Sequence, residues 1–73
     1  MLRGELSLIE KKVFGALLIM SDDNLEVKGK SQIDIAKVMG YVRQGGVIGS
    51  ALRVLEMLNY IRILGKQHYQ VLL

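Results

Sequence analysis

"GGVIGSALRVLEMLNYIRILGKQHYQVLL", residues 45 to 73, changes its periodicity halfway along. At the ~100° turn per residue of an α-helix, Ile48, Ala51, Leu52, Leu55 and Leu58 fall on one side, and Gly46, Ser50, Arg53 and Met57 on the other. This spacing predicts a helix from Gly45 or Gly46 to Leu58, closed by Asn59 in a left-handed conformation. Beyond Asn59 the apolar residues alternate, as in a β-hairpin, and two loops are conceivable. A loop at Gly65 and Lys66 pairs Ile63 with His68 and Ile61 with Gln70, mixing polar and apolar residues on one face. A loop of Gly65 to Gln67 pairs Ile63 with Tyr69 and Ile61 with Val71, and turns Arg62, Leu64, His68 and Gln70 outward. The second register keeps the apolar residues together and is the expected one.

The glycines of "GGVIGS" also suit a turn that cradles a dinucleotide phosphate. Such a turn needs an apolar strand immediately before it and an acidic residue about 20 positions after it. The preceding "MGYVRQ" is no buried strand, and the residues about 20 positions on lie in the hairpin without a carboxylate. No cofactor is expected.

Upstream, Ser7 and Glu10 form a capping-box pattern that starts a helix from about Leu8 to Met20. Ile9, Val13, Ala16, Leu17 and Met20 make one face, which Phe14 and Leu18 widen, leaving Lys11, Lys12 and Gly15 opposite. A helix this apolar is either deeply buried or shared with another chain. "SDDN", residues 21 to 24, is a turn, and "LEVKGK" after it reads as a brief strand or extended link. Ser31 caps a second helix with Asp34 in the reciprocal position, Ile35, Ala36 and Met39 face inward, and Gly40 closes it.

The chain has 73 residues, enough for one small domain, expected over 7–73 behind a tail of 1–6. It contains no cysteine, and one histidine, so neither a disulfide nor a zinc site is expected. No segment has the ~18 consecutive apolar residues of a membrane span, and no export signal is visible. The expected setting is cytoplasmic, associated with the nucleoid if the cell is prokaryotic. Residues 1–30 balance five basic residues against five acidic ones, whereas 31–73 hold five basic residues against Asp34 and Glu56. The net charge of +3 therefore resides entirely in the second part, which favours an anionic partner.

The order helix, strand, helix, turn, helix, hairpin resembles the winged helix-turn-helix family over nearly the whole chain. "SQIDIAKVMG" is similar to that family's second helix and "ALRVLEMLNYI" to its third helix running into the wing, with Leu52, Leu55, Glu56 and Ile61 in the recurring arrangement. Asn59 stands where a glycine is usual, and the turn "YVRQGG" is longer than a compact one. The resemblance implies a mainly α fold with a small β-hairpin (α+β), three helices plus a two- or three-stranded wing sheet. It also implies double-stranded DNA as the partner, with the third helix in the major groove and the wing against the backbone.

Carried onto this chain, the DNA contacts would be Tyr41, Arg43, Gln44, Gly46, Ser50 and Arg53 around the third helix, and Arg62, Lys66 and His68 on the hairpin. Arg43, Gln44 and Ser50 lie where donors reach base edges, and Gly46 and Gly49 permit close backbone approach. Each has a plainer reading: Arg53 as a solvated helix residue, Tyr41 packed over the core, His68 as a surface strand residue. No nucleophile and base occur together, so no enzyme is expected. The rival function is a protein docking module, with Val47, Val54 and Met57 covered by a partner. A homodimer through the first helix would fit either use.

Overall fold

A computed structural model describes residues 5–40 and 46–72. Its elements run α1 (Leu8–Met20), β1 (Glu26–Lys28), α2 (Gln32–Met39), α3 (Val47–Met57), β2 (Ile61–Gly65) and β3 (His68–Val71). The three strands form one antiparallel sheet in the order β1-β3-β2, so the brief strand after α1 joins the hairpin through its last strand. The result is a mainly α fold with a small sheet, compatible with a winged-helix-like layout.

Both expected capping boxes are present. The Ser7 amide donates to the Glu10 carboxylate at 2.9 Å and the Ser31 amide to Asp34 at 2.9 Å, while each serine hydroxyl accepts from the amide three residues on. Asp34 also accepts from the Ser31 hydroxyl at 3.1 Å. These bonds satisfy amides that a helix start otherwise leaves without partners, which fixes where α1 and α2 begin. At the other end of α2, Gly40 adopts φ 82°, and its amide donates to the carbonyls of Ala36 and Lys37. A β-carbon there would meet nothing within 4 Å, so the glycine is required by conformation and not by space. Gly40→Ala is expected to lower stability by about 1 kcal/mol, read as a fall in melting midpoint of roughly 4–8 °C for a domain of this size. An unchanged midpoint would mean that α2 ends without a left-handed residue.

The core lies between the three helices and the inner face of the sheet. Val13, Ala16 and Leu17 of α1, Ile35 and Ala36 of α2, and Ile48, Ala51, Leu52 and Leu55 of α3 are buried against Val27, Ile61, Tyr69 and Val71. Met39 and Leu6 pack against this cluster from its edge, so Leu6, assigned to the tail from the sequence, serves the core. Phe14 of α1 meets Tyr60 edge to face, with ring centroids 5.4 Å apart. The sequence left α1 either deeply buried or shared, and it is divided. Val13, Ala16 and Leu17 of its inner stripe are sealed, while Leu8 and Ile19 are 70% and 76% exposed.

The hairpin has the expected register, Ile61 opposite Val71 and Ile63 opposite Tyr69. Its tip differs from the expected Gly65 to Gln67 loop. Gly65 stays in β2 opposite His68, the ladder is irregular between Ile63 and Gly65, and the turn is made by Lys66 and Gln67. The left-handed residue at the tip is Gln67, at φ 58°, and Asn59 at the end of α3 takes φ 65° as expected. The irregularity inserts one residue into β2, so the apolar pairs stay in register although the turn is short.

Candidate nucleic-acid interface

Three elements form the walls of an open groove of ≈ 690 Å³. Ser31 and Gln32 come from the start of α2, Gly46, Gly49, Ser50 and Arg53 from α3, and Ile63, Lys66 and Gln67 from the hairpin. Four of the residues expected to contact DNA, Gly46, Ser50, Arg53 and Lys66, thus come together although the hairpin and α3 are separate in sequence. Among the described residues lining the groove, two are cationic and none carries a carboxylate. Arg53 and Lys66 are exposed, and neither forms an ion pair with a described residue.

The start of α3 differs from the starts of α1 and α2. Gly46 supplies no side-chain acceptor, and the first turn holds no acidic residue. The leading amides of the helix therefore meet no side-chain acceptor from their own cap, and with the helix dipole they favour an anion at the groove.

Strand alternation divides the remaining candidates. Ile63 and Tyr69 line the groove from the inner face of the sheet, whereas Arg62 and His68 occupy positions that face away from it. Arg62 is exposed on that outer face beside Gln70, whose side-chain amide donates to the carbonyls of Asn24 and Leu25 at 2.9 and 3.1 Å. His68 is half-buried, with Nε2 3.2 Å from the Glu26 carboxylate, which Lys28 also contacts at 3.2 Å. The hydrogen bond from His68, followed by that from Lys28, holds the Glu26 carboxyl below its ordinary range. His68 is thus a strand residue whose ring meets a carboxylate of its own chain, because β1 pairs with β3 and sets Glu26 beside it.

Gly49 also departs from expectation. The sequence suggested that it leaves room for an approaching DNA backbone, but the space over it is taken by this chain's own Gln32. A β-carbon at Gly49 would lie 3.2 Å from Gln32 Nε2 and 3.5 Å from its Oε1. Gly46, in contrast, has nothing within 4 Å of the same position.

One residue that lines the groove, Gln32, and one that contacts its wall, Glu56, were absent from the expected set. Gln32 carries no pattern in the sequence beyond its place after a capping serine. Glu56 was noted only as part of the recurring helix arrangement, and its carboxylate accepts a 2.9 Å hydrogen bond from the Ile63 amide. That bond ties the free edge of β2 to α3.

Val47, Val54 and Met57 do not line the groove. Val47 and Met57 are 45% and 76% exposed, and Val54 is half-buried. Tyr41, Arg43 and Gln44 lie outside the described residues. Among the described residues no three His, Asp or Glu side chains gather as metal ligands, and no helix is long and apolar enough to cross a membrane. In comparisons with known proteins, no protein-family model, no curated protein and no solved structure matches this chain.

Proposed function

We propose that this chain is a small winged-helix DNA-binding protein, a transcriptional regulator or a DNA-associated accessory factor. In this reading α3 enters the major groove and the β2–β3 hairpin acts as the wing. One observation carries it: the groove between α3 and the hairpin offers Arg53 and Lys66 from two different elements, with no carboxylate among its described lining residues. DNA is a polyanion, so such a groove gains from releasing the counterions that its phosphates hold. Ser50 and Arg53, on the groove side of α3, supply donors suited to base edges, while Lys66 at the hairpin tip suits phosphate.

The test is a fluorescence-anisotropy titration of mixed-sequence duplex DNA at low and physiological salt, comparing the wild type with an Arg53→Ala, Lys66→Ala double variant. Binding in the micromolar range or tighter, weakening with salt and lost in the double variant, is the expected result. Absence of binding at low salt by folded protein would overturn it.

A second reading, a docking module without direct DNA contact, is favoured by the exposure of Met57 and Val47, apolar residues that occupy or flank the outward side of α3. DNA readers more often carry polar groups on such a surface. The two readings separate in the same titration, since folded wild-type protein binds duplex DNA in the first and does not in the second.

A further inference from the structure

Gly49 sits inside α3 without any backbone need for glycine: it is not among the positive-φ residues, and a glycine within a helix costs roughly 1 kcal/mol relative to alanine. Its vacant side is occupied by the Gln32 carboxamide, whose Nε2, Oε1 and Cδ all lie within 4 Å of where a β-carbon would stand. That amide has no hydrogen-bond partner among the described residues, and Gln32 lines the groove beside Ser50 and Arg53.

We infer that Gln32, seated on Gly49, reads a base edge in the groove and determines part of the sequence preference. The inference rests on the proposed DNA-binding function. A carboxamide carries the adjacent donor and acceptor that match the major-groove edge of adenine, and it lacks the charge that makes arginine or lysine a phosphate contact. The start of α2 is also poorly suited to phosphate. Its capping amides are engaged by Ser31 and Asp34, and hydrogen bonds from the Ser31 amide and then its hydroxyl hold the Asp34 carboxyl below its ordinary range, so a negative charge stands there. Gly49 lets the α2 side chain lie close against α3, in line with the residues of that helix that face the groove. A methyl group at Gly49 would be tighter against the amide than side chains normally tolerate and would displace it by a few tenths of an ångström.

The experiment selects a preferred site for the wild-type protein from a randomised duplex pool. Affinities of the wild type, Gln32→Ala and Gly49→Ala are then measured for that site and for each of its single base-pair changes. The expected result is one position, an A·T pair, at which wild-type discrimination of about tenfold or more is lost in Gln32→Ala while the other positions keep theirs. Gly49→Ala should lose discrimination at the same position although its melting temperature rises, a combination that a purely structural glycine would not produce. An even loss of affinity on every duplex in Gln32→Ala would make the residue a phosphate contact and overturn the inference. If the wild type selects no site, the underlying reading fails and the inference with it, whereas a wild type with a clear site and an unchanged Gln32→Ala profile refutes the inference alone.

Discussion

Leu55→Ala is expected to cost about 2–5 kcal/mol of folding stability, the usual range for emptying a buried leucine position. Leu55 is 0% exposed on the inner face of α3, in the core shared with α1, α2 and the sheet. Its own carbonyl accepts a 2.8 Å bond from the Tyr60 amide, which starts the chain into the hairpin. A domain of this length has roughly 4–11 kcal/mol of total stability, at about 0.05–0.15 kcal/mol per residue, so one such loss removes a large share of it. Small domains are sensitive to this because folding buries a smaller fraction of their surface than it does in larger ones. Urea unfolding followed by circular dichroism should show the midpoint fall with an unchanged slope. A loss below about 1 kcal/mol would mean that the neighbouring helices close over the cavity, and that α3 is not held as tightly as its burial implies.

The second large effect concerns binding. Arg53→Ala is expected to weaken DNA binding by about 1–3 kcal/mol, and Lys66→Ala to weaken it evenly on all sequences while reducing the salt dependence by about one counterion. If Arg53 contacts a base, its loss is concentrated on the preferred sequence; if it contacts phosphate, the loss is uniform. Arg62→Ala supplies the internal comparison. Arg62 has the same charge as Arg53 and belongs to the same hairpin as Lys66, but it faces the outer side of the sheet, away from the groove. It should change affinity less than either. An Arg62→Ala effect equal to that of Lys66→Ala would move the contact surface from the groove to the outer face of the sheet, beside Glu26 and His68.

Both experiments read surfaces that were only partly legible in the sequence. The bounds of α1 and α2 follow from capping boxes, which act over three residues and need no tertiary partner. The pairing of Ile61 with Val71 and Ile63 with Tyr69 follows because any one-residue slip carries the apolar set to the wrong face. The inner face of α3 from Ile48 to Leu55 follows equally from its period. These properties are short-range, and the sequence by itself determined them.

The site depended on contacts between elements far apart along the chain, which periodicity does not encode. Gln32 lies over Gly49 because α2 and α3 pack closely at that point, and only their packing shows that the glycine receives a side chain of its own protein. The Glu26 to His68 contact joins residues 42 positions apart and requires β1 to pair with β3, which a three-residue strand does not announce. Strand alternation puts Arg62 on the outer face of the sheet, while the turn carries Lys66 to the mouth of the groove. Local patterns decide which residues face inward, because burying apolar surface is the dominant favourable term. Which outward residues share one groove was decided only by how the helices and the sheet pack, since that packing sets the distances between their side chains.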